Sequence, residues 1–360
     1  MFVDLFTPIV PVEKQHSNFQ HVIIPSRSAE RAVVQAWAEG FPDRDGKFVR
    51  EFQTTFNSSF WEVYLHALFK EYGHEMLWTK SRPDFHLKTP HGDVIVEAVV
   101  SNHSKAGTPE WEKNKLLTDA VRDKDFWSLN RESIIRLSNA LHGKLGKYND
   151  AYQKLAHVTG KPFVIAIASY EQHDFQFQYD RPMRALLYDE YVDENAYYAN
   201  PKAHPHGPPS VQLNSVSKDN GAGIEMGILC KENWRDVSAV IYSCLATWGK
   251  TVAMSTKPRP GFVISSWGTN DSGLSTRRIR PIGVPSETVS DGLHIFHNPF
   301  AHRPLPLEVF RKKGVVQHYF LPKKRWYQRD RWVRENYDDC LQFRITQALN
   351  LTGFNQPAQE

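Results

Sequence analysis

The chain is poor in cysteine. It has 3 in 360 residues, Cys230, Cys244 and Cys340, and they lie far apart. No pair has the short spacing of a zinc site, and an odd, scattered set gives no disulfide framework. A reducing cytoplasm is therefore the expected compartment. Long apolar runs are also missing. Mean hydropathy is −0.51, and no stretch approaches the roughly 20 apolar residues of a membrane-spanning helix. The opening residues, MFVDLFTPIVPVEKQ, lack a basic leader region and are broken by two prolines, which argues against a secretory signal. No repeat or low-complexity tract is visible. A large charge imbalance is absent too. The formal net charge is +4 and the isoelectric point is near 8.8, which permits nucleic-acid binding without requiring it. What remains is 41 % hydrophobic and 12 % aromatic residues, ample for a folded core of one large or two ordinary domains.

The most informative stretch runs from Ser58 to Asn102. Phe60, Trp61, Tyr64, Leu65, Leu68 and Phe69 recur at helical spacing and predict an amphipathic helix with one broad apolar face. Gly73 is its expected stop. Met76 to Trp78 and Arg82 to Leu87 read as strands, the second entered through Pro83, and His91-Gly92 turns the chain. Val94 to Val100 is a third strand, apolar on both faces except at Glu97. A carboxylate there is costly unless it is paired, hydrogen-bonded or bound to a metal. Asp84 can lie on the same face of the neighbouring strand, and Glu62 on the helix can supply a third carboxylate. Three converging carboxylates repel one another and raise their own pKa values. A divalent cation relieves that conflict, and oxygen ligands suit Mg2+ or Mn2+. Each residue also has a plain reading. Glu62 can close a capping box with Ser59, Asp84 can simply begin a strand, and Glu97 can pair with an arginine such as Arg82.

The order of helix Glu62, then Pro83-Asp84, then Glu97 in an apolar strand resembles the PD-(D/E)XK nuclease superfamily, the restriction-endonuclease-like fold. The phrases Phe60-Trp61-Glu62, Pro83-Asp84-Phe85 and Val96-Glu97-Ala98 are similar to a poorly characterised bacterial branch of it. The resemblance covers residues 55 to 105 and extends, more thinly, to about 190. It implies an α/β fold with an αβββαβ core, here with an extended mixed sheet and added helices. It implies Asp84, Glu97 and Glu62 as metal ligands and catalytic residues. The superfamily pattern places a lysine two residues after the Glu, and this chain has Val99 there. Either another basic residue moves in or the site binds metal without cutting. Lys144 is the first choice of replacement, with Arg136 and Lys88 behind it. A solvated helix face is the plain reading of Lys144.

The remaining chain is read as follows. Residues 1 to 57 form a lead-in, extended to about 25, with helices over 28–40 and 48–56. Residues 58–190 form the nuclease-like core, including charged, helical segments over 111–127 and 130–158, a buried strand over 162–169 and a helix over 180–191. Residues 191–223 are a long Pro/His/Gly loop. Residues 224–360 hold strands at 224–230, 237–245, 251–255, 262–267 and 293–297, expected to extend the first sheet, with TRRIR (276–280) in a loop. Residues 323–334, KKRWYQRDRWVR, interleave six basic residues with three aromatics. Lys323, Lys324, Arg325, Trp326, Arg329 and Arg331 are candidate nucleic-acid contacts. An amphipathic terminal helix packed on the body explains the same pattern.

The function expected is a metal-dependent nuclease acting on DNA ahead of RNA, in bacterial defence or nucleic-acid processing. A homodimer is allowed and a membrane partner is not expected. The alternative is a degenerate nuclease-fold protein that binds nucleic acid or a protein partner without cleavage. A third reading is a scaffold with structural carboxylates.

Overall fold

The computed structural model describes residues 3–104, 107–112, 125–269, 275–321 and 331–348. The lead-in is more helical than expected. Helix α1 spans Ser17–Val22, α2 Ser28–Trp37 and α3 Phe48–Thr54. Helix α4 runs Phe56–Glu71, so Ser59 and Glu62 lie inside it and the capping box does not form. The helix is not amphipathic either. From Phe56 to Phe69 every residue is buried except Ser58 and Glu62, which are partly open and one turn apart. A helix that is apolar all round is one covered on every side. Trp61 Nε1 donates to the Ala166 carbonyl at 3.0 Å, and Tyr64 Oη donates to that of Val289 at 2.8 Å. Trp37 of α2 packs edge-on against Tyr64. Gly73 sits at φ +71° past the helix end, the left-handed position that favours glycine.

Strand β1 is Glu75–Met76, β2 Phe85–Thr89 and β3 Gly92–Asn102. Helix α5 is Phe126–Lys147, continued by a π turn over Tyr148–Tyr152. Strand β4 is Phe163–Tyr170 and helix α6 is Arg181–Tyr188. The expected long loop is not structureless. It contains β5 (Tyr191–Val192), helix α7 (Glu194–Ala199), β6 (Ser210–Val211) and β7 (Ser215–Ser217), and β8 (Gly223–Glu225) follows. Then come β9 (Val237–Ser243), helix α8 (Trp248–Met254), β10 (Gly261–Thr269), β11 (Ser275–Pro281), β12 (His294–His297), β13 (Val316–Leu321), β14 (Arg331–Glu335) and β15 (Leu341–Ala348).

The fold is mixed α/β. One sheet of 8 strands has the order β1-β2-β3-β4-β9-β12-β13-β14. Strands β1 to β3 are an antiparallel meander, and β3, β4 and β9 run parallel. β4 and β9 are buried along their whole length, as their unbroken apolar runs require of central parallel strands. The downstream strands β9, β12, β13 and β14 extend this sheet. The others do not: β11, β10 and β15 form a separate sheet of 3 strands. TRRIR is thus an exposed edge strand rather than a loop, and residues 251–254 close a helix rather than form a strand. The small sheet is tied to the body by buried charge. Arg344 of β15 donates to Glu287 Oε1 at 2.6 Å, and Lys250 of α8 donates to Oε2 at 3.0 Å.

Residues 113–124 of the first charged segment lie outside the described residues. So do Lys323, Lys324, Arg325, Trp326 and Arg329 of the basic strip. Arg331 begins β14, whose backbone pairs with β13, so 331–335 is strand and not terminal helix. The three cysteines are free. Among the described residues no helix is long and apolar enough to cross a membrane.

Candidate functional site

The register of β2 on β3 places Phe85 opposite Val96. One step back along it, Asp84 stands opposite Glu97. Asp84 Oδ2 accepts a hydrogen bond from the Ala98 amide at 2.7 Å, which holds the carboxylate against β3. Glu97 is only 1 % exposed. Its Oε1 accepts from Lys144 Nζ at 2.7 Å, Lys147 Nζ at 3.2 Å and Tyr152 Oη at 3.2 Å. Its Oε2 is buried with no hydrogen-bond partner. A desolvated carboxylate oxygen without a partner is costly, so this atom is the one in the site best placed to accept a further ligand.

Helix α5 delivers the lysines. Ile134, Leu137, Leu141 and Leu145 are buried on its inner face. That anchoring brings the last turn, with Lys144 and Lys147 three residues apart, over Glu97. The lysines are not equivalent: the Lys144 side chain is 17 % exposed and that of Lys147 55 %. The π turn then aims Tyr152 at the same oxygen. Burial pulls the Lys147 ammonium down, but Tyr152 and Glu97 outweigh it and hold the pKa above its ordinary value. Burial and then Glu97 raise the Tyr152 phenol.

The other candidates fall elsewhere. Arg82 is exposed and makes no pair with Glu97. Arg136 Nε donates to the Asn102 carbonyl at 2.8 Å, and Lys88 pairs with Glu75 at 3.5 Å. Val99 is half-buried two residues beyond Glu97.

Glu62 lies close enough to feel Asp84. Burial, then Asp84 and Glu51, push its carboxyl up to about 8. Burial, then Glu97, push Asp84 up to about 6. The ordinary values are 4.5 and 3.8. Between them and the raised values the folded chain binds protons that the unfolded chain does not. The contribution of these groups is full below about pH 4 and is lost as pH rises to about 8. In chelator, thermal melts across that window should show stability falling by several kcal/mol as pH rises. Asp84→Asn with Glu62→Gln should flatten the profile. A wild-type profile already flat over this range would remove the proposed repulsion.

The three carboxylates do not form the tightest cluster. Among the described residues, the one group of three whose ligand atoms all lie within 4.8 Å of one another is Asp180, His294 and His318. Nothing in their spacing announced it. His294 Nδ1 lies 3.1 Å from His318 Nε2, and burial pushes His294 down to about 4. Asp180 is already matched by charge, with Arg181 at 3.4 Å and Arg184 at 3.9 Å. Those guanidiniums balance its charge, but its Oδ2, like Glu97 Oε2, is buried without a hydrogen-bond partner.

No family model, curated protein or solved structure matches the chain.

Proposed function

We propose that the chain is a metal-dependent phosphodiester hydrolase acting on DNA, with α4, β1, β2, β3, α5 and β4 as a restriction-endonuclease-like αβββαβ core. The observation that carries this reading is the opposed pair Asp84 and Glu97 with a lysine ammonium 2.7 Å from Glu97. The donor set is all oxygen, which suits Mg2+ or Mn2+, and Glu97 Oε2 is a buried acceptor without a partner. Asp84 and Glu97 would hold the ion, with Glu62 as a further ligand. When bound, it supplies Lewis-acid polarisation of the phosphate and a lowered water pKa. Lys144 replaces the lysine that Val99 displaces from the strand. It reaches the same place from α5 and sets a positive charge where negative charge develops in the transition state.

Purified full-length chain incubated with plasmid and linear DNA in Mg2+ or Mn2+ should give nicked or shortened products, and chelator should abolish them. Absence of product under both metals overturns the reading. Val99 favours the second one, a protein that binds DNA without cutting. It predicts steep salt dependence of binding and no cleaved ends.

Both readings need a binding surface, and the basic strip is the candidate. Lys324→Ala with Arg325→Ala should flatten the slope of log affinity against log salt by about 1.8 for duplex DNA. Trp326→Ala should instead weaken binding by about 1–3 kcal/mol with little change in slope, if the ring stacks on a base. An unchanged slope in the double variant removes the strip from the surface.

A further inference from the structure

A cavity of about 640 Å³ opens beside the carboxyl ends of β4 and β9, bounded also by the start of α4, the start of α8 and β15. It is not the carboxylate site. Its volume is that of an ordinary small-molecule site, and its place is the crevice where parallel α/β sheets take ligands. Phe56, Trp111, Tyr170 and Trp248 supply flat apolar walls. Three polar atoms on these lining residues are buried and have no hydrogen-bond partner: Glu110 Oε2, Arg27 Nε and Trp248 Nε1. Glu110 is only 8 % exposed. Its other oxygen is taken, accepting from Asn57 Nδ2 at 2.7 Å and Asn18 Nδ2 at 2.9 Å. The residues lining the cavity therefore carry one acceptor and two donors without hydrogen-bond partners, alongside aromatic rings.

We propose that this cavity binds an amino-bearing nucleotide, its base stacked on the rings, its exocyclic amino group donating to Glu110 Oε2, and its phosphate meeting Arg27 and Trp248 Nε1. Each ligand part answers one unsatisfied feature. The base supplies a π-face, the amino group supplies a proton to a desolvated acceptor, and the phosphate accepts from a guanidinium. A free nucleotide and an unstacked nucleotide of a strand share this chemistry. The proposal does not depend on the hydrolase reading, and Asp84→Ala should bind the nucleotide as wild type does.

Trp111 and Trp248 make intrinsic fluorescence the readout. Full-length chain is titrated with AMP, IMP and a short oligodeoxyadenylate without terminal phosphate. AMP and IMP differ at the purine 6-position, amino against oxo. Expected is saturable quenching by AMP at least tenfold tighter than by IMP. Glu110→Gln is nearly isosteric. The two asparagine amides hold its carbonyl in the place of Oε1, so its amide N–H replaces Oε2 and the preference should invert toward IMP. Quenching by the oligonucleotide alone, abolished in Glu110→Gln, assigns the site to a strand and also supports it. If the variant melts early, the wild-type comparison decides. No quenching by any probe to about 1 mM, equal AMP and IMP affinity, or an unaltered preference in a folded Glu110→Gln overturns the proposal.

Discussion

Asp84→Ala combined with Glu97→Ala should abolish metal-dependent DNA cleavage, a loss of about 10³-fold or more. A metal ion contributes several kcal/mol of transition-state stabilisation, and each 1.36 kcal/mol is about tenfold in rate. Removing both opposed carboxylates removes the place where the ion would sit. Glu97→Ala also leaves Lys144 facing a cavity instead of an acceptor 2.7 Å away, so folding needs its own control. Glu97→Gln keeps the shape and an acceptor for the lysine while weakening the hold on a cation. It should melt near wild type and still lose most activity. Calorimetric titration with Mn2+ gives a readout independent of turnover and should show the same site lost. Activity within tenfold of wild type in a folded double variant would falsify the assignment and turn attention to Asp180, His294 and His318.

Lys144→Met should reduce turnover by about 10²–10³-fold, the usual effect of deleting one preorganised group at a developing charge. The argument is positional. Lys144 is the more buried of the two lysines on Glu97 and the closer one, so its charge is screened least. Lys147→Ala should cost much less, because an ammonium that is more than half exposed is largely screened. Lys144 also competes with a cation for Glu97. Its loss should leave Mn2+ affinity unchanged or raise it while turnover falls. A parallel fall in metal affinity and melting temperature would make Lys144 a structural partner of Glu97. Full activity in Lys144→Met would remove Lys144 from the catalytic assignment and leave Val99 without a substitute.

Some of this site was legible in the residues. Glu97 stands out because a strand that is apolar on both faces tolerates a carboxylate only with a purpose. Asp84 follows from Pro83 and from strand periodicity. Lys144 was reachable through the order of elements and the resemblance, which packs the helix after β3 over the site. Tyr152 was not, because it enters through a π turn and reads as core in any window. The start of α4 was misplaced because its hydrophobic face extends all the way round, which removes the amphipathic cue.

Local chemistry therefore determined the existence and order of α4, β2, β3, α5 and β4, and the two carboxylates that face each other across β2 and β3. These follow from periodicities of 2.0 and 3.6 residues and from turn residues, which act within a dozen positions. Tertiary structure decided the rest. Residues 251–254 became helix because a short apolar run fits either state until its neighbours choose. TRRIR became strand because β10 offered it a ladder, although its exposed face carries no apolar alternation. The cavity beside Glu110 joins residues as far apart as Asn18 and Thr346, 328 positions, and the cluster of Asp180, His294 and His318 spans 138. Such sites come from packing whole elements together, and no local pattern encodes which distant side chains will meet.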